Sequence, residues 1–237
     1  MEEITKAMGN ILLYYLIAAL TAFTLRSLIK INDELFRKGL HCILLGSLAV
    51  WLKGFTTWQY AAISCLVFAA AVYPLLALAG RLKGFTAFMN ERKSGEFKSS
   101  LLLVFVMFAL EIFLCWGWFG EKILVFAGVY AWGFGDAAAA LVGRRFGKHT
   151  LEGRHIEGKK SLEGSLAMFV TSFICVGTVM LIRGNLPLYG YIVLPFAMGA
   201  VSAVVELYSM RGTDTITCPL AATAVMLALL SIMGGGA

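Results

Sequence analysis

Charge is what this chain has least of. Only 14% of its 237 residues are Asp, Glu, Lys or Arg, against about a quarter in an average soluble domain. With 59% hydrophobic residues, a water-soluble fold of this length cannot hide its apolar surface. That excludes a soluble globular protein and leaves an all-α, polytopic integral membrane protein. Strict apolar–polar alternation is also missing, which excludes a transmembrane β-barrel; the apolar runs are continuous and too long for strands. Four prolines and the lack of any low-complexity tract argue against a separate soluble domain, so the chain reads as one integral membrane domain over 1–237. The N-terminus, MEEITKAMGN, has no positive n-region, and the first apolar run reads as a retained span, not a signal peptide. Cys42, Cys65, Cys115, Cys175 and Cys218 show no CxxC spacing. They read as small buried hydrophobes, not as metal ligands or disulfide partners.

What is present is a series of long apolar runs. A helix needs roughly 20 apolar residues to cross a bilayer core about 30 Å thick. By that rule spans fall near 8–29, 57–80, 100–117, 121–143, 162–182, 187–208 and 215–233, with a short run at 39–52. If the short run crosses, Lys6, Lys53, Lys122 and Arg183 lie on one side and the other sixteen of the twenty Lys and Arg residues on the opposite side. An excess of Lys and Arg marks the cytoplasmic loops. The asymmetry therefore predicts eight spans, both termini on the non-cytoplasmic side, and a cytoplasmic loop at 143–162. The net charge of +6 is accounted for by this topology and needs no nucleic-acid partner.

Acids inside spans are costly, about 2.5–3.5 kcal/mol at a helix centre on insertion scales, and are functional candidates for that reason. Glu111, Asp136 and Glu206 qualify, with Asp214 just beyond the Glu206 span. Glu111 falls in the outer half of its span and reads as a buried, hydrogen-bonded packing residue. Asp136, Glu206 and Asp214 reach the same membrane face as the loop that runs RRFGKHTLEGRHIEGKKS. Carboxylates beside cations suit a magnesium-bound polyphosphate, which takes oxygen ligands on the metal and positive charge on the phosphates. The small residues Ala137 to Ala140 and Gly143 predict a close helix approach around Asp136. Gly147, Gly153 and Gly158 permit positive φ, so that amides can point at an anion. Ser161 is placed to cap the following helix, whose N-terminus is itself an anion site. The stretch Gly153 to Lys160 approaches a P-loop, but Lys160 stands where Ser or Thr is required and no strand precedes it, so a P-loop is rejected. Glu34, Arg37, Lys38 and His41 share one helical face at the mouth of the short run.

Four blocks of residues together resemble the polyprenol/dolichol kinase, phytol kinase and CTP-dependent diacylglycerol kinase family of membrane lipid kinases. They are Glu34-x-x-Arg37-Lys38-x-x-His41 with Gly46; Gly135-Asp136-x-x-Ala139 with Gly143, Arg144 and Gly147; Gly158-Lys159-Lys160-Ser161-x-Glu163-Gly164-Ser165; and Glu206 followed by Asp214-x-x-x-x-Pro219-Leu220. Thr215 stands where many relatives carry Asn. The resemblance implies transfer of a nucleotide γ-phosphate, commonly from CTP, to a lipid hydroxyl such as that of phytol, a polyprenol or diacylglycerol. On that reading Arg144, Gly147, Lys148, Gly158, Lys159, Lys160, Ser161 and Glu163 bind the nucleotide. Asp136 and Asp214 hold Mg²⁺, Asp136, Lys159, Lys160 and Glu206 are catalytic, and Glu34, Arg37, Lys38 and His41 are accessory. The expected setting is a prokaryotic cytoplasmic membrane.

Two rivals follow. Phosphatidate cytidylyltransferases are similar in outline, but they carry a late His-Gly-Gly block and an Asp-Arg pair, and this chain has no His-Gly pair. A transporter would place its acids near the midplane, often in repeated halves, whereas here they crowd one face and no internal repeat is visible.

Overall fold

The chain divides between Leu110 and Glu111 into two compact units, Met1–Leu110 and Glu111–Ala237. The computed structural model describes residues 2–80, 96–153, 156, 160–210 and 212–234. Among these, eight helices are long and apolar enough to cross a membrane, the number expected from the hydropathy and the charge alternation.

The first unit contains α1 (Glu2–Leu28), α2 (Asp33–Gly54), α3 (Trp58–Ala79) and α4 (Glu96–Glu111), except for the final residue of α4. The short run 39–52 lies inside α2, which has 22 residues and so spans about 33 Å at a rise of 1.5 Å per residue. It is longer than its apolar run because the polar residues before it are also helical. Asn32 caps them, its side chain accepting from Glu34 N at 2.9 Å, and Asp33 and Glu34 lie in the first turn, where acidic groups meet the positive end of the helix dipole. Gly46 of α2 has a steric role: a Cβ there would lie 2.6 Å from the Tyr14 hydroxyl, which donates to Ile43 O at 2.7 Å. An aromatic cluster fills the core of this unit. Trp51 and Phe68 each lie against Phe105, with ring centroids 5.4 and 5.0 Å apart, and Trp51 Nε1 donates to Ala61 O at 3.0 Å.

The second unit opens with a π-helical segment, Ile112–Trp118. It continues through α5 (Leu124–Phe146), β1 (Thr150–Leu151), β2 (Lys160–Ser161), α6 (Leu162–Arg183), α7 (Gly190–Tyr208) and α8 (Asp214–Ile232). The sequence predicts plain helix over 100–117; the π segment, with its wider i to i+5 bonding, occupies the end of that span.

Helices α5 and α6 approach closely through small residues, as expected. A Cβ at Gly135 would lie 2.6 Å from Met168 Sδ, and one at Gly164 would lie 3.0 Å from Ala139 O. Ser172 Oγ adds a hydrogen bond to Ala131 O at 2.6 Å. Such contacts replace the hydrophobic drive that lipid does not supply.

At the opposite end of this unit from the α5–α6 loop, Arg183 makes a two-pronged ion pair with Glu121, both N–O distances 2.5 Å, with the Arg183 side chain only 8% exposed. Removing one partner leaves a buried charge uncompensated, at a cost of about 3 kcal/mol. Glu121→Ala is therefore expected to lower the thermal unfolding midpoint in detergent by several degrees. An unchanged midpoint would mean that water already solvates Arg183.

Candidate active site

The corner between α5 and α6 is built around one serine. Ser161 is extended (φ −132°, ψ 153°) and its Oγ accepts from Gly164 N at 3.1 Å. This is the helix cap that the sequence predicts. Three glycines crowd the same hydroxyl: a Cβ at Gly143, Gly147 or Gly164 would lie 3.2, 2.8 or 3.3 Å from Ser161 Oγ.

Gly147 corrects an expectation. Its φ is −64°, and neither it nor Gly153 is among the described glycines with positive φ. Gly147 is required for close approach instead, since a Cβ there would also meet Gly143 O at 2.2 Å. Gly147→Ala is thus expected to push the loop off the end of α5 and to destabilise the second unit by about 1–3 kcal/mol, the usual cost of overpacking. The thermal unfolding midpoint in detergent checks it, and a parental midpoint would refute it.

Beyond Gly147 the chain forms a two-stranded antiparallel ladder that the sequence did not signal, with Thr150 opposite Ser161 and Leu151 opposite Lys160. Leu162 N continues the pairing to His149 O at 2.9 Å. Glu163, in the first turn of α6, folds this ladder onto the helix. Its carboxylate accepts from His149 N at 3.3 Å and lies 2.7 Å from His149 Nδ1, an acid placed at the positive end of the α6 dipole. The sequence offers Glu163 as a nucleotide ligand; the structure shows it bonded to His149. Arg144 and Lys148 are exposed beside the ladder. Gly158 and Lys159 lie outside the described residues.

Lys160, on β2, reaches across to α7. Its Nζ pairs with Glu206 Oε1 at 2.7 Å and also donates to the Glu206 carbonyl. Both side chains are largely buried, at 19% and 14% exposure. A cation on a C-terminal carbonyl satisfies an otherwise orphaned acceptor and complements the helix dipole. Two residues that the sequence treats separately, a phosphate-binding lysine and an intramembrane acid, are therefore one ion pair.

The other acids gather at the same place. The charges of Asp136 on α5 and Asp214 at the start of α8 both act on Glu206, and all three act on Cys218 of α8. Trp132 Nε1 donates to Asp214 Oδ2 at 3.4 Å. Trp132 and Asp136 are one turn apart on one face of α5, a spacing legible in the sequence although the role of Trp132 was not. Asp136, Glu206 and Asp214 are half-buried, while Thr215, the departure in the fourth block, is buried. Among the described residues no three His, Cys, Asp or Glu side chains close on one point to form a self-sufficient metal cage. That donor set suits magnesium, which is commonly held by one or two carboxylates together with substrate phosphates and water.

The first block lies in the first unit. Glu34 is buried and bonded to Arg37 at 2.5 Å along α2, and Lys38 and His41 are half-buried on the same helix. All five cysteines are free thiols; Cys65, Cys115 and Cys218 are buried, and Cys42 and Cys175 are half-buried.

Comparison with known proteins bears on this arrangement. The chain is similar to a phytol kinase from Synechocystis sp. (strain ATCC 27184 / PCC 6803 / Kazusa), with 32% identity over 123 residues, 48% of this chain and 49% of that protein. The matched region thus spans about half the length of that relative. No protein-family model matches the chain, and no solved structure matches it.

Proposed function

We propose that the chain is a lipid-alcohol kinase that transfers the γ-phosphate of a nucleoside triphosphate, CTP by preference, to an isoprenoid alcohol of the phytol type. The observation that carries this reading is the Lys160–Glu206 pair, which ties the basic, glycine-packed corner to the three carboxylates of α5, α7 and α8. The similarity to a phytol kinase supports the same reaction class.

In this mechanism Arg144, Lys148 and Lys159 neutralise the phosphates, and the N-terminus of α6 adds its dipole. Asp136 and Asp214 would hold Mg²⁺, which would supply positive charge to the nucleotide phosphates. The lipid alcohol approaches laterally, its hydroxyl at the depth of the carboxylates and its apolar chain among the spans. The alcohol oxygen forms a bond to the γ-phosphorus as the bond from that phosphorus to the β–γ bridging oxygen breaks. The nucleoside diphosphate leaves, and the hydroxyl proton passes to a carboxylate of the cluster. Positioning and electrostatics supply most of the rate in such transfers. Lys160, already bonded to Glu206, holds the β2 strand in place while its neighbour Lys159 serves the phosphates. The site faces the cytoplasm, where the nucleotide is.

The test is a panel of phytol, farnesol, undecaprenol, dolichol, diacylglycerol and phosphatidate with CTP, UTP and ATP labelled at the α- or γ-phosphate. Purified protein is expected to pass only the γ label to an isoprenoid alcohol, and Lys159→Ala to abolish the transfer. Passage of the α label to phosphatidate would establish a cytidylyltransferase instead, and no transfer to any acceptor would refute the kinase.

A further inference from the structure

Outside the carboxylate cluster, the second unit holds a fully buried acid that the mechanism leaves unused. Glu111 is fully buried, with 0% exposure, at the junction of α4 with the π-helical segment. Its Oε2 accepts from Thr223 Oγ1 of α8 at 2.7 Å and lies 3.7 Å from Cys115 Sγ. Its Oε1 is buried without a hydrogen-bond partner among the described residues.

A buried polar atom left over costs stability, and an apolar side chain here would avoid that cost, so the group needs an explanation beyond filling space. The explanation lies in what it bridges. A Cβ at Gly128 of α5 would fall 2.1 Å from Thr223 Oγ1 and 2.7 Å from Glu111 Oε2. The Glu111–Thr223 bond therefore runs directly against bare α5 backbone and admits nothing larger than glycine. Gly128, Trp132 and Asp136 succeed one another at four-residue intervals on one face of α5. On α8, Asp214 meets Trp132 and Thr223 meets Gly128. Helices α5 and α8 are thus pinned at two levels: Trp132–Asp214 at the carboxylates, and Glu111–Thr223–Gly128 deeper in the unit.

We propose that Glu111 is a positioning residue for the carboxylate site. As a neutral acid hydrogen-bonded to Thr223, it sets the spacing of α5 and α8 and so the placement of Asp136 relative to Asp214. Neutrality follows from its surroundings, because an ionised carboxylate in the membrane interior with no ion pair among the described residues is prohibitively costly. The proposal rests on the kinase reading for its catalytic consequence but not for its geometry.

The test compares Glu111→Gln, Glu111→Ala and Thr223→Val in the full chain, with turnover expressed per folded molecule. Glu111→Gln keeps a neutral group of the same shape and is expected to retain kcat within about twofold. Glu111→Ala and Thr223→Val are expected to lower kcat about tenfold, an effect within reach of a sub-ångström misplacement. A packing role alone would move the unfolding midpoint and leave kcat per folded molecule unchanged, and that result would overturn the proposal. Loss in Glu111→Gln equal to that in Glu111→Ala would overturn the neutral acid. A second readout does not need catalysis: Trp132 emission, obtained as the difference from Trp132→Phe, is expected to shift in Glu111→Ala and Thr223→Val but not in Glu111→Gln. If the parent chain transfers no phosphate, the kinase reading fails and this emission decides the clamp, a shift supporting it and constancy overturning it.

Discussion

Asp136→Asn is expected to lower phosphoryl transfer about a thousandfold, the scale reached when one preorganised electrostatic contact to a transition state is removed. Asp136, Glu206 and Asp214 bring three carboxylates from α5, α7 and α8 within electrostatic range of one another, and Lys160 is bonded to Glu206. Asparagine keeps the shape of the side chain and its place one turn beyond Trp132. It removes the oxygen charge that would hold a magnesium–nucleotide complex, so the site loses its cation while its frame stays. Purified parent and variant, compared for initial rate at saturating CTP and for thermal midpoint, separate loss of chemistry from loss of fold. Turnover near the parental value would take Asp136 out of the site.

The parts of this structure that could be read in advance were those with a local or periodic cause. Eight spans followed from apolar length and from the alternation of basic loops, and the Ser161 cap followed from a hydroxyl placed just before an apolar run. The close approach of α5 and α6 followed from Gly143 and its alanine neighbours. What could not be read was set by partners distant in sequence or by backbone detail. Nothing in the residues flanking Lys160 marks it as the partner of Glu206, 46 positions away. The β1–β2 ladder has two residues per strand, too few for any alternation to show. The sequence suggests positive φ at Gly147, where the structure needs bare contact, because a glycine needed for positive φ and one needed for close approach look alike in a sequence. The short run 39–52 understated its helix because polar residues such as Arg37 and Lys38 extend α2 without adding to its hydropathy.

Lys160→Ala is expected to destabilise the second unit by about 3 kcal/mol, the cost of stranding one member of a buried ion pair, and to abolish activity at temperatures where the fold survives. Three losses coincide. Glu206 keeps its charge in a largely buried position without its cation. The last turn of α7 loses the donor that satisfies the Glu206 carbonyl, and β2 loses its tether to α7. A double substitution separates these terms. Lys160→Met with Glu206→Gln replaces the pair by neutral groups of similar size, which commonly restores stability, so the midpoint is expected to recover most of what Lys160→Ala loses. Activity is not expected to recover with it, because β2 is still untethered from α7 and the cluster has lost the Glu206 carboxylate. The coupling between the two positions is read from the full cycle of single and double variants. A coupling near zero would show that solvent screens the pair. Full activity in the double variant would show that the β2 strand holds its place through Ser161 and the glycines around it, and that the phosphate-binding corner is independent of α7.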